Sequence, residues 1–476
     1  MFLELRGRTQ PPETDTQRLR GATSRLFHAE NSTGFYASQN PLEYCPVGGC
    51  DLMKQRVDLT FKHNRTAGRH GWLRLTPAYS VKLVGEILDR LDNKQIVVDP
   101  FSGTGTTAVV AAERGHECDA FDINPFLIWL GEAKARNYSE DERSQVTTIA
   151  HRIARTVPDQ HEHDHWVPPI SAVDRWWTAG HLRTLAAIYG RIERGETGRV
   201  ADLLKIAFCR VMIDWSNAAF NHQSMSFREP PTHPASFDQE SAILADFVAW
   251  ADRIAADVVE PLRGRVRFLR SDSRSLEGAK RRGYTALITS PPYPNRMSYV
   301  RELRPYMYWL GFLCDARAAG ELDWQAIGGT WGCATSRVGL WKPKELFERT
   351  HPLHASIRRI ARNSELLANY VHKYFEDMAE HFDALVSTLA DGAELFYIVG
   401  NSKFYDVVLA VEDLYADLMV RAGLRNVSIH KIRKRNSKKE LFEFVVTGSR
   451  GNRSRRFAGF SSNAPRPGEQ RMLSLE

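Results

Sequence analysis

The chain has little of what several protein classes require. It contains no run of about 18 consecutive apolar residues, so no membrane-spanning helix is expected. Met1–Arg20 has no apolar core of the kind a secretory leader carries, and a reducing, cytoplasmic setting is expected. The six cysteines, at 45, 50, 118, 209, 314 and 333, include no Cys-x-x-Cys pair. Cys45 and Cys50 are the one close pair, with His63 and His70 the nearest further ligands. Free thiols are expected there and no metal. The chain has no internal repeat, which argues against solenoids and propellers.

What is present is a globular composition. Hydrophobic residues make up 43% and charged residues 25% of 476, enough for a sizeable core. That length suits roughly two or three domains, or one large domain with insertions. The net charge is +7 and the pI about 9.0, a balance that favours a polyanionic partner.

Residues 1–62 read as an irregular, polar arm. A basic loop follows, His63 to His70, whose Arg65 and Arg69 suit either a solvated turn or contact with phosphates. Thr76 is a good N-cap and Pro77 suits a first helical position, with Leu83, Val84, Ile87 and Leu88 on one face. Gln95–Asp99 reads as a buried strand running into Pro100-Phe-Ser-Gly-Thr-Gly-Thr-Thr107 and then a helix. Strand, glycine turn and helix form the first unit of a doubly wound fold. Gly103 and Gly105 allow backbone amides to approach a ligand, and Thr106 and Thr107 lie near the helix N-terminus. A second strand, Cys118–Asp122, ends in an acid 17 positions after Gly105. An acid there commonly binds ribose hydroxyls, or caps the next helix.

Residues 126–264 turn helical and read as an insertion between the second and third strands. Its polar tract, with Asn217, Asn221, His222, Gln223 and Arg228, holds side chains that read base edges, although a polar loop has the same composition. Strand character returns at Arg265 and leads to Asp272 and Ser273. Ala286–Thr289 is a further buried strand, and it stops at Ser290-Pro-Pro-Tyr293. Two prolines cannot continue a strand ladder, so they set a stiff turn with a hydroxyl before it and an aromatic after it. Strand ends of this kind are where open α/β sheets bind ligands. Arg296, Arg301 and Arg304 then interleave with Tyr299, Tyr306, Tyr308 and Trp309, which suits a nucleic-acid groove or an amphipathic helix. Residues 315–360 read as loop-rich, Asn363–Leu389 as a long helix, Glu394–Val399 as a strand and Val407–Ala422 as a helix. Asn426–Ile432 with Phe442–Thr447 reads as a closing hairpin, and 449–476 as a disordered basic tail.

The motifs at 99–107, 121–125 and 290–293 together resemble those of the S-adenosylmethionine-dependent methyltransferases that modify exocyclic amines of DNA bases. The resemblance covers roughly 70–125 and 265–448, within a core expected at 63–125 and 265–448. It implies a Rossmann-like α/β sheet, mostly parallel, ending in an antiparallel hairpin. It implies S-adenosylmethionine as cofactor, held by Thr76, Pro77, Asp99, Phe101, Ser102, Gly103, Gly105, Thr106, Thr107, Asp122, Asn124, Asp272 and Ser273. It also implies that Ser290, Pro291, Pro292 and Tyr293 are catalytic, acting on a base flipped out of double-stranded DNA. A Ser-Pro-Pro-Tyr motif after Thr289 is similar to that of cytosine-N4 enzymes, whereas an acid or Asn in place of Ser290 marks most adenine-N6 enzymes. Adenine N6 or an RNA base is the alternative target. A non-catalytic, cofactor-binding DNA subunit is the alternative of another class. Arg65, Arg69, Asn221, His222, Gln223, Arg296 and Arg301 are the expected nucleic-acid contacts, and a companion restriction endonuclease is the expected partner. No cysteine follows a proline, unlike the nucleophile of cytosine-C5 enzymes. A nicotinamide dehydrogenase shares the glycine turn but has no use for Ser-Pro-Pro-Tyr.

Overall fold

The computed structural model describes residues 56–73, 78–157, 166–219, 226–227, 237–279, 283–330, 332–435 and 440–451. Its main sheet contains β1 (Ile96–Asp99), β2 (Glu117–Asp122), β3 (Arg265–Arg270), β4 (Tyr284–Thr289), β5 (Leu389–Gly400), β6 (Arg425–Lys434) and β7 (Phe442–Ser449). They lie in the order β3-β2-β1-β4-β5-β7-β6. The pairs from β3 to β5 are parallel, and β7 runs antiparallel to both β5 and β6. The order reverses between β1 and β4, where Val97 lies opposite Ala286 and Val98 opposite Leu287. In an open α/β sheet that reversal opens a crevice at the strands' carboxyl ends.

The helices used below are α1 (Val81–Leu88), α2 (Thr106–Glu113), α3 (Pro125–Ala135), α4 (Glu140–Thr156), α5 (Ala179–Gly195), α6 (Gly198–Asp214), α7 (Phe237–Asp257), α8 (Tyr299–Trp309), α9 (Glu365–Val386) and α10 (Val411–Arg421). Side chains alternate across a strand, and the central strands use both faces. Val97, Ala286 and Ile288 pack with α1 and α2. Val98 and Leu287 pack on the opposite side with α9 and α10. Helix α3 follows β2 and packs close to β3. A Cβ on Gly131 would meet Phe268 Cε1 at 2.2 Å, so only glycine permits that approach.

Helices α4 to α7 bury their apolar faces in one cluster that also takes in Phe126 and Leu130 of α3 and Val300, Leu303, Tyr306 and Trp309 of α8. The insertion is therefore continuous with the helix that follows the Ser-Pro-Pro-Tyr turn.

Several expected boundaries move. Helix α1 starts at Val81, where the Ser80 side chain accepts a bond from Lys82 N at 3.2 Å; Thr76 and Pro77 lie outside the described residues. The segment 315–360 holds helices at Ala316–Gln325, Cys333–Leu340 and Pro352–Ala361 instead of mostly loop. Asp315 caps the first, accepting from Ala318 N at 2.7 Å, and Pro352 opens the last. Val407–Leu409 pairs with Ser402–Phe404 as a small hairpin, and α10 begins after it. Among the described residues no helix is long and apolar enough to cross a membrane.

Candidate active site

A cavity of about 900 Å³ opens at the carboxyl ends of β1, β2, β3 and β4. One lip is the glycine turn after β1. Gly103 and Gly105 hold φ of 50° and 76°, the left-handed region that favours glycine. Ser102 N donates to Phe121 O at 2.9 Å, and Gly105 N donates to Ser102 O at 2.7 Å. A Cβ on Gly103 would meet nothing within 4 Å, because the turn faces the cavity. Asp122 stands across from it at the end of β2. Its two oxygens accept from Gly103 N at 3.0 Å and Asn124 N at 2.8 Å. The Ile123 amide also approaches the carboxyl, and with about four lone-pair positions a carboxylate still has room for a donor from the cavity. Burial pushes Asp122 up to about 7. Ser102 Oγ is buried, faces the cavity and has no partner among the described residues. An orphan hydroxyl, a glycine cradle and an acid facing the cavity fit a ribose-bearing cofactor.

The remaining expected cofactor residues divide into two groups. Phe101, Thr106, Asn124, Asp272 and Ser273 line the cavity, whereas Asp99, Gly105 and Thr107 lie beneath it. Asn124 also caps α3, accepting from Phe126 N at 3.0 Å. Asp99 is fully buried and receives Tyr79 Oη at 3.1 Å, Thr289 Oγ1 at 2.6 Å and Phe101 N at 3.1 Å. Burial pushes its carboxyl up to about 6. Thr107 Oγ1 donates to Ile288 O at 3.1 Å and also touches the Tyr79 hydroxyl. These groups lock the ends of β1 and β4 together. Burial opposes ionisation of Asp272, but Arg274 prevails and holds it below the usual range. Arg274 Nη2 lies 2.6 Å from Asp272 Oδ2.

The other lip is Ser290–Tyr293. Ser290 Oγ donates to Ile398 O at 3.1 Å. Tyr293 Oη donates to Glu443 Oε1 at 3.1 Å, and Arg433 Nε holds Glu443 at 2.6 Å. Burial and the neighbouring Glu443 raise the Tyr293 phenol well above its ordinary value, so it stays protonated. The ring packs against Gly400, where a Cβ would meet Tyr293 Cε2 at 2.8 Å, and the Arg435 guanidinium lies 5.2 Å from its centroid. Tyr374 Oη donates to Pro292 O at 2.7 Å. Tyr79, Tyr374, Arg435 and Glu443 were not singled out by sequence reasoning. Each acts through a contact distant in sequence, and only Arg435, in a basic run closing the hairpin strand, carried any visible signal.

The expected nucleic-acid contacts scatter. Arg69 is buried, and its guanidinium donates to Lys134 O at 3.0 Å, Arg136 O at 2.6 Å and Glu260 O at 2.9 Å. It closes the end of α3 and does not meet phosphate as expected, because it is buried and three of its five N–H groups are held by carbonyls. Arg65 and Arg296 are exposed and Arg301 is half-buried on α8. Asn217 is buried and donates to Arg175 O at 3.3 Å. Asn221, His222, Gln223, Cys45 and Cys50 lie outside the described residues.

Comparison with known proteins points to methyltransferases. Residues 81–162, which contain α1, the glycine turn and Asp122, match the family model of D12 class N6 adenine-specific DNA methyltransferases. The chain resembles the S-adenosylmethionine-dependent DNA amino-methyltransferases. It is 19% identical over 404 residues to the type II methyltransferase M.AvaI of Nostoc sp., covering 77% of this chain and 81% of that protein. It is 22% identical over 445 residues to the type II methyltransferase M.BsoBI of Geobacillus stearothermophilus, covering 81% and 85%. A solved rRNA methyltransferase from Streptomyces viridochromogenes overlaps 78% of this chain and 86% of its own, at 11% identity; its TM-score of 0.24 is too low to bear on fold or substrate. The methyl donor these similarities imply is S-adenosylmethionine, and Ser102, Gly103 and Asp122 lie together on the cavity wall.

Proposed function

We propose that the protein is a site-specific DNA methyltransferase acting on the N4 amine of cytosine in a flipped-out base. The observation that carries this reading is the state of Ser290. Ser290 Oγ has two partners, Ile398 O at 3.1 Å and Tyr293 Oη at 3.5 Å; Ile398 O can only accept and is the nearer, so the single hydroxyl proton is assigned to it. The oxygen's lone pairs are left to accept from a donor in the cavity, and the exocyclic amine of cytosine is such a donor. Pro291 contributes no N–H, so its carbonyl is a second acceptor in the same rigid turn. Two acceptors on one amine draw its lone pair out of conjugation and aim it. The cofactor supplies an electrophilic methyl group on a sulfonium. Attack would be direct: the N–C bond would form as the S–C bond breaks, the cofactor leaving as a neutral thioether and the surplus amine proton passing to solvent, and the protein's contribution is orientation and placed dipoles. Tyr293, clamped by Glu443 and Gly400, offers its ring to the base.

Adenine N6 is the second reading, favoured by the matched family model. That match ends at residue 162 and includes none of Ser290–Tyr293, the residues that would touch the target base. A place in a restriction-modification system, with a companion endonuclease, belongs to the same proposal. The test is product analysis with methyl-labelled cofactor on duplex DNA, with RNA as a parallel substrate. N4-methylcytosine in DNA is expected. Label found only in N6-methyladenine, or only in RNA, would overturn the base assignment.

A further inference from the structure

Helix α9 carries a stripe of polar side chains that the reading above does not use. Tyr370, Tyr374, Asp377 and His381 are spaced i, i+4, i+7 and i+11, which places them along one face of the helix. All four are buried. Each reaches a loop at the carboxyl end of a strand. Tyr370 Oη accepts from Arg296 N at 3.3 Å. Arg296 has φ of 64°, a left-handed conformation that a non-glycine residue adopts only where its surroundings hold it. Tyr374 Oη donates to Pro292 O at 2.7 Å and lies 2.6 Å from Tyr415 Oη of α10. Asp377 Oδ1 accepts from Arg274 Nη1 at 3.0 Å, and Arg274 in turn grips Asp272. His381 Nδ1 donates to Ser273 O at 2.8 Å. Its Nε2 accepts from Tyr397 Oη at 2.8 Å, and its ring meets Phe101 edge-on at 4.9 Å.

The stripe therefore divides. Its first half holds the turn after β4, and its second half holds the loop after β3 together with Phe101 on the cavity wall. We propose that this face of α9 is a positioning device that fixes the methyl-acceptor turn and the cofactor loop at a set separation, Tyr374 serving the acceptor side and His381 the donor side. The proposal rests on the methyltransferase reading. The distance spanned along the helix, 370 to 381, is about 16 Å at ~1.5 Å per residue, so one rigid element reaches both loops. A shared rigid element suits this task because reaction rate is sensitive to errors of about 1 Å between reacting groups.

The test separates binding from turnover in the full-length protein. Tyr374→Phe deletes one oxygen and is expected to lower kcat on DNA about tenfold, with the Kd for S-adenosylmethionine by calorimetry changed less than about twofold. His381→Phe is expected to raise that Kd about fivefold with a smaller loss of kcat at saturating cofactor, and His381→Asn, which keeps a donor, to recover part of the affinity. Asp383→Asn, on the exposed side of α9, is expected to change neither. Thermal unfolding is recorded for each protein. Should either variant fail to fold, Tyr370→Phe and Asp377→Asn test the same halves. If the two halves move kcat and Kd in the same ratio, or move neither, the positioning role is overturned while the function stands. If the wild type binds cofactor but methylates no nucleic acid, the function fails and takes this role with it.

Discussion

The two lips of the cavity are built by opposite means. At the glycine turn, partners are near in sequence. Asp122 reaches back 19 positions to Gly103 and two ahead to Asn124, and Phe101 N turns onto Asp99 two positions away. At Ser290–Tyr293 they are remote. Ser290 finds Ile398 at 108 positions, Pro292 finds Tyr374 at 82, and Tyr293 finds Glu443 at 150. The donor lip is thus a local motif that forms once β1 and β2 pair. The acceptor lip is complete only when β5, β7 and α9 are all in place. Substitutions that weaken distant packing should blunt methyl transfer before they blunt cofactor binding.

The largest effect that would sharpen this contrast is at Tyr293. Tyr293→Ala removes the ring packed on Gly400 and the bond to Glu443, yet touches nothing on the glycine turn. Methyl transfer should fall by about 100-fold or more, with cofactor Kd unchanged. Single-turnover rates and calorimetry measure both. An equal loss in affinity would erase the distinction between the lips.

Next in size is Asp122. Asp122→Ala should raise the cofactor Kd by about tenfold or more, the scale of hydrogen bonds to a charged group. Equal affinity in the two proteins would remove Asp122 from the ribose assignment. The pH dependence has a definite sign. Burial raises Asp122 to about 7, so below that pH the carboxyl is mostly protonated. Ribose hydroxyls donate to the ionised form, so cofactor affinity should rise as pH increases through about 7. The gain cannot exceed about tenfold per pH unit. Asp122→Asn should flatten this profile, because the amide does not titrate in that window.

The same contrast explains what the sequence could reveal. The turn at 100–107, the acid at 122 and the stop at Pro291-Pro292 were readable because their geometry is enforced within a few residues by glycine, proline and strand periodicity. The mostly parallel sheet with an antiparallel end followed from alternating strand and helix signals and the closing hairpin, whereas the strand order did not. The stripe on α9 was not readable. Its tyrosines and histidine look like ordinary core residues of an amphipathic helix until the loops they meet are known. Arg69 misled for the related reason that a basic loop on paper says nothing about which carbonyls fold over it. Helices within 315–360 escaped because Asp315 and Pro352, their start signals, stand among loop-like neighbours.

The smallest expected effect tests the point at which the lips meet. Asp99 accepts from Tyr79 on one side and from Thr289, the residue before Ser290, on the other. Tyr79→Phe leaves the buried carboxyl with one donor fewer and frees Thr107 from its contact. The cost should be about 1 kcal/mol of folding stability, read as a lower denaturant midpoint with an unchanged slope. Because Asp99 lies under both lips, cofactor affinity and turnover should decline together and by similar factors, unlike at Tyr293 or Asp122. A Tyr79→Phe protein with wild-type stability but selective loss of turnover would mean that Tyr79 serves the acceptor lip alone. The two lips would then be joined through two hydroxyls, Thr289 Oγ1 on Asp99 and Thr107 Oγ1 on Ile288 O.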